Sequence, residues 1–379
     1  ASHNSGKNSY YLQSFLTRKI QTHRIPAMQS SSLKIYTKQS PGIISIKQGS
    51  TLELGALYYS QVVFNARGLM PPVFTPLNDD LTVNYVAIPP YAQFLQKSGI
   101  KSVVADRKKV IDTWVAVAKT TGLHIQVQVG GAPMADVLDL ARYCQSVGAD
   151  SLLTLPELYF KPKTVDDLVS YVELVAQAAP KLPVLYYHIP FMSKVEGKWV
   201  LEKCTDKNTL RVSLLYLCST IIYSVAWSNF SFFFAVNMPA FVVKATARIP
   251  NFKGIKFTSN DLSEGAQVLR TLADGQEMFL GADTLLAPAA LLGIKSGIGT
   301  TFNIFPKLAQ DILDAVAAND VAKARALQET LSEWVPIMKA GMEIVTGIKV
   351  GPPSLPQRPI SAEARKRIEG KLRSLKLVK

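Results

Sequence analysis

Cysteine and histidine are scarce in this chain: 379 residues contain three cysteines and four histidines. Cys144, Cys204 and Cys218 stand at no metal-ligand spacing, which argues against a disulfide framework and a structural zinc site and for a reducing, cytoplasmic compartment. Acid is absent from the first 52 positions, which hold seven Lys or Arg. That stretch also lacks the early apolar run of a secretory signal and an Arg-bearing amphipathic helix. Rich in Ser, Gln and basic residues, the N-terminal part therefore reads as a basic, disordered leader over residues 1–66. The net charge of +14 is correspondingly lopsided. Beyond residue 52 both signs interleave, and basic residues are not interleaved with stacking aromatics, so nucleic acid is not the expected partner.

What is present from Gly68 onward is regular. Eight apolar or β-branched runs stand out, six of them ending in Gly, Pro, Ser or Thr: LMPPVFTP (69–76), GIKSVV (99–104), HIQVQVGG (124–131), ADSLLTLP (149–156), PVLYYHIP (183–190), FKGIKFTS (252–259), MFLGAD (278–283) and KSGIGTT (295–301). Helix-period segments lie between them, such as MADVLDLARYCQSVG (134–148) and TVDDLVSYVELVAQAAP (164–180), the latter opened by a Thr cap and two acids. Eight such units predict an α/β fold, a (β/α)8 TIM barrel over 67–306, with a helical extension over 307–379. A barrel of this kind keeps its chemistry at the C-terminal ends of its strands, where Tyr187 and Lys256 fall.

Two places break the rhythm. At Val104–Ala105 the second run passes almost directly into the helix pattern ADRKKVIDTWVAVAKTTG, a junction so short that it threatens the ring. Between Glu196 and Val236 lies an insertion, 197–235, in which an uncharged run begins that extends from Val212 to Val243. Its length satisfies the usual test for a membrane span. A span between two strands of one barrel is difficult to fold, so membrane insertion is not the expected reading. Gly197-Lys198 and the Phe-rich end of the segment match codons of splice signals, and we read the insertion as translated intron.

The run FKGIKFTSND (252–261) poses a chemical question, because Lys256 sits in an apolar strand. Such a lysine either reaches water, pairs with an acid, or lies in a dry pocket as an amine of lowered pKa. Only the last makes it a nucleophile.

Taken together, YYHIP (186–190), GIKFTSND (254–261), FLGAD (279–283), GIGTTFN (297–303) and GPPSLP (351–356) resemble the pyruvate-dependent class I aldolases that include the N-acetylneuraminate lyases and dihydrodipicolinate synthases. The resemblance spans 67–196 and 236–379. It implies Lys256 as the Schiff-base lysine and Tyr187 as the proton-shuttling phenol. It further implies Thr258 and Ser259 beside the imine, and Gly281, Asp283, Thr284 and Thr300 along a polyhydroxy substrate tail. Thr284 departs from the pattern, since many lyases carry glutamate there. So does the junction after Val104, where the family places a Gly-Thr-Thr-Gly-Glu loop that binds the substrate carboxylate. Pro190 is followed by Phe191, Met192 and Ser193, without the arginine usual in the synthases. The implied activity is sugar-acid cleavage to pyruvate by a homotetramer without metal or organic cofactor. The alternatives are another pyruvate aldolase of the synthase type and an inactive product lacking the carboxylate loop.

Overall fold

The computed structural model describes residues 62–105, 108–195, 236–334, 338–354 and 356–374. The insertion 197–235 and most of the leader lie outside the described residues. Among the described residues seven parallel strands follow one another around a single sheet in sequence order. They are β1 (Ser102–Ala105), β2 (His124–Gln128), β3 (Ser151–Thr154), β4 (Val184–His188), β5 (Phe252–Phe257), β6 (Glu277–Leu280) and β7 (Ser296–Gly297). Each coincides with one of the apolar runs, and β1 and β3 are buried at every residue. That is the mark of strands covered on both faces.

The first run closes the ring. Leu69 bridges Gly297 on β7 and Pro72 bridges Val104 on β1, both in parallel. Met70 N donates to Gly297 O at 2.8 Å, and Val104 N donates to Pro71 O at 3.0 Å. The segment forms bridges rather than a continuous ladder because Pro71 and Pro72 have no N–H to donate. The short junction after β1 does not break the ring: β1 keeps register with β2 from Ser102↔His124 to Ala105↔Val127, and the next helix begins at Lys108.

Side chains fill the interior in the usual manner of small barrels. Phe64, Ala66, Met70, Val104, Leu153, Leu185, Phe279 and Ile298 form one buried cluster, against which Tyr187 packs. Phe64 and Ala66 precede Arg67, so the packed chain begins ahead of the boundary read from the sequence. A larger apolar cluster lies between sheet and helices. The capping signal at Thr164 is realised, its hydroxyl accepting from Asp167 N while Asp167 accepts from Thr164 N. After β7 come helices Pro306–Ala317, Val321–Ser332, Met338–Thr346 and Ala362–Ser374. Among the described residues no helix is long and apolar enough to cross a membrane. The described end of the uncharged run enters helix Met238–Arg248, which buries Phe241 and Val242 in the protein core.

Candidate active site

Side chains on a strand alternate in direction, so register decides which groups meet. On β4 and β5, Val184 pairs with Phe252, but Leu185 pairs with Gly254, leaving Lys253 as an extra residue. This irregularity brings Lys256 opposite Tyr187. Without it, Tyr187 would face Ile255. Gly254 makes the step possible: its φ is +135°, and a Cβ there would collide with the Glu277 backbone.

Lys256 is 6% exposed, and its Nζ lies 3.9 Å from the centroid of the Tyr187 ring. Burial pushes its amine down to about 7, and the Asp283 carboxylate works in the opposite direction. Burial also raises the Tyr187 phenol, with the Asp283 charge adding to the rise and the nearby Thr258 hydroxyl opposing it. The pair thus consists of an amine that is substantially neutral near pH 7 and a phenol that holds its proton. Such an amine can attack a carbonyl carbon, and the adjacent phenol can exchange a proton with the adduct.

Both residues line a cavity of about 430 Å3 that is also walled by Thr258, Gly281 and Thr300. Gly281 is there for space: a Cβ would overlap Thr258 Oγ1 and lie 2.7 Å from Thr258 Cβ and 3.2 Å from Lys256 Cε. Thr258 Oγ1 is buried beside the Tyr187 phenol. Three of the residues implied by the resemblance stand elsewhere. Asp283 is buried behind the wall, its Oδ2 accepting from Thr301 N and Thr301 Oγ1, each at 2.8 Å. Its pKa is raised by burial, against which the two Thr301 bonds and the Lys256 charge act. Ser259 Oγ accepts from Asp261 N at 3.1 Å in a local turn. Thr284 is exposed outside the cavity.

Of the remaining wall, only the Val104–Ala105 junction stands out in the sequence. Thr75, Val104, Ala105, Gln128, Leu153 and Ile189 come from strand ends spread over 115 residues of sequence, and only the closed ring assembles them. Gln128 folds back on its own loop, its Oε1 accepting from Gly130 N at 2.5 Å. Among the described lining residues Lys256 is the sole charged group.

The profile of the Dihydrodipicolinate synthetase family matches residues 65–198 and 219–372. The chain belongs to this family. Family membership makes it a carbon–carbon lyase of the class I aldolase type, on a barrel fold. It is 26% identical over 336 residues to N-acetylneuraminate lyase of Mus musculus, covering 82% of this chain and 92% of that protein. The same identity and coverage hold for N-acetylneuraminate lyase of Homo sapiens. Among solved structures, the N-acetylneuraminate lyase (sialic acid aldolase) of Aliivibrio salmonicida superposes with a TM-score of 0.68 at 25% identity, covering 83% of this chain and 98% of that one. A dihydrodipicolinate synthase structure superposes at 0.62 with 22% identity, and that similarity speaks for the fold alone. The family match is interrupted at 199–218, within the insertion.

Proposed function

We propose that this chain cleaves N-acetylneuraminate reversibly to N-acetylmannosamine and pyruvate through an imine on Lys256. The observation that carries the reading is the buried, depressed amine of Lys256 stacked on the Tyr187 ring. The amine adds to the C2 carbonyl of the open-chain sugar acid, and water leaves to give a protonated imine. Tyr187 gives its proton to the hydroxyl that leaves as water and, as the phenolate, takes the proton of the C4 hydroxyl while the C3–C4 bond breaks; that proton is then available for C3 of the enamine. The electron pair moves into the imine as an enamine, and the aldehyde departs. Protonation of the enamine at C3 followed by hydrolysis returns pyruvate and the free amine, so the sequence balances with side-chain groups and water. In this reading Thr258, Gly281 and Thr300 border the substrate directly. Ser259, Asp283 and Thr284 shape the site from outside the cavity, and the protein works as a homo-oligomer.

The reading is tested by adding pyruvate and borohydride to the whole chain and locating the adduct by peptide mass spectrometry. An adduct on Lys256, absent from Lys256→Met, is expected; folded protein without any adduct defeats the reading. A second reading, a synthase-type aldolase, is separated by supplying N-acetylneuraminate in one assay and pyruvate with aspartate semialdehyde in another. The absence of arginine at Phe191, Met192 and Ser193 favours the sugar acid.

A further inference from the structure

The cavity around Lys256 is not the largest opening in the described protein. A groove of about 650 Å3 lies between residues 74–79 and the C-terminal segment from Lys339 to Arg365. That volume is within the usual range for small-molecule sites. One strip of chain separates the two openings: Val73 and Thr75 line the cavity, while Phe74 between them lines the groove. An extended segment presents alternate residues to opposite sides, so a ligand on one side touches the wall of the other.

Lys339 fastens this strip. Its Nζ donates to Thr75 O at 3.3 Å and to Pro352 O at 2.9 Å. Both partners are neutral carbonyls, and burial lowers the pKa of the ammonium. The groove also holds Arg358 and Arg365 with two acids, Asp79 and Glu343. Glu343 is already engaged, by Arg365 at 3.1 Å and by Gly351 N at 3.3 Å. Lys339 and Arg358 have no acidic partner among the described residues, leaving Asp79 as the opposing charge on the wall. A partly buried cation without a counter-ion is stabilised by a bound anion, and an arginine fork suits carboxylate or phosphate.

We propose that this groove is a second binding site, for a small organic anion carrying a carboxylate or phosphate, and that its occupant acts on the Lys256 cavity through Lys339 and Thr75. An anion that draws Lys339 from Thr75 O frees the strip that walls the reaction cavity. The site is distinct from the cavity of the proposed reaction, since the two share no lining residue.

The test titrates the whole chain calorimetrically with inorganic phosphate and, separately, with succinate, at constant ionic strength set with chloride. Saturable binding of at least one is expected, weakened at least tenfold in Arg358→Ala and in Lys339→Met and unchanged in Lys256→Met. Arg358 is exposed, so Arg358→Ala decides the matter even if Lys339→Met folds poorly. The difference between the two titrations tells carboxylate from phosphate recognition. Absence of saturable binding, binding that survives Arg358→Ala, or binding lost in Lys256→Met overturns the site. Coupling is read from borohydride trapping of pyruvate, whose rate the bound anion changes at least threefold in the wild type and not in Arg358→Ala. An equal change in both proteins overturns the coupling. Failure of all trapping defeats the imine reading of the cavity and, with it, the coupling, while the titration still decides the groove.

Discussion

Lys256 and Tyr187 are register partners on adjacent parallel strands, with the lysine nitrogen 3.9 Å from the phenol ring centroid. Burial in a dry cavity makes this amine more readily neutral than one in water, against the pull of the ring face towards the cation, and the phenol is at hand when the adduct needs a proton.

The depressed amine sets the pH dependence. An ordinary lysine is neutral at pH 7 in about one molecule in three thousand, whereas Lys256, pushed down to about 7, is neutral in about half. Pyruvate trapping should therefore rise through a midpoint near pH 7 and level off above it, as measured by initial trapping rate from pH 5.5 to 9. The linkage has a definite sign. Between about 7 and the ordinary lysine value the unfolded chain binds a proton that the folded chain does not, so this lysine makes stability increase as pH rises through that window. Denaturant titrations of wild type and Lys256→Met at pH 6 and 9 should show the difference.

Asp283 is the counterweight to that depression. In Asp283→Asn the Thr301 bonds have a replacement acceptor but the charge is gone, so the trapping midpoint should move below that of the wild type. A midpoint that stays in place would mean that Asp283 does not reach Lys256 electrostatically.

Tyr187→Phe separates the two chemical steps. The ring face remains over Lys256, so pyruvate trapping should persist within about tenfold. Turnover of the sugar acid should fall by about 10²–10⁴, the usual loss when a general acid/base is removed. Equal losses in both assays would assign Tyr187 a packing role.

Gly281→Ala should abolish trapping while leaving the far-ultraviolet circular dichroism of a folded barrel, because the added Cβ meets Thr258 and crowds Lys256 Cε. Gly281→Ala combined with Thr258→Gly should recover part of the trapping, since the colliding atoms are removed. No recovery would locate the damage in the backbone.

Carboxylate recognition gives a further outcome. With Val104 and Ala105 on the wall and Lys256 as the sole charged lining group among the described residues, the cavity has little to tell pyruvate from its neutral methyl ester. Trapping rates of the two should agree within about tenfold. A much larger preference for pyruvate, lost in Arg107→Ala, would assign the carboxylate to that residue, two positions past Ala105 and outside the described residues.

Much of the fold was legible because barrel strands are buried on both faces and read as apolar runs between helix patterns. Seven of the eight runs are strands, and the first is the closing segment, limited by Pro71 and Pro72. Lys256 stood out because a cation in such a run requires an explanation. The step at Lys253 did not, since one extra residue leaves the hydrophobic pattern almost unchanged while reversing which side chains meet. Asp283 does not line the cavity, for a related reason. Its position in FLGAD says that it lies at a strand end, but Thr301, a residue from the next strand end, turns the carboxylate away from the cavity. The cavity wall at Thr75 and Gln128 carries no local motif, because it exists only where distant strand ends converge.

The closing segment also completes the surroundings of the lysine. Gly68 N donates to Ser296 Oγ across 228 residues of chain, and Met70 joins Gly297 over a similar span. During synthesis the first half of this seam emerges long before the second, and domains complete their long-range pairings last. Ile298 and Thr300, which follow β7, complete the cavity wall around Lys256, so the dry surroundings that depress its amine are finished only with that last strand in place. Closure of the ring is thus the step that completes the pocket in which the lysine can act as a nucleophile.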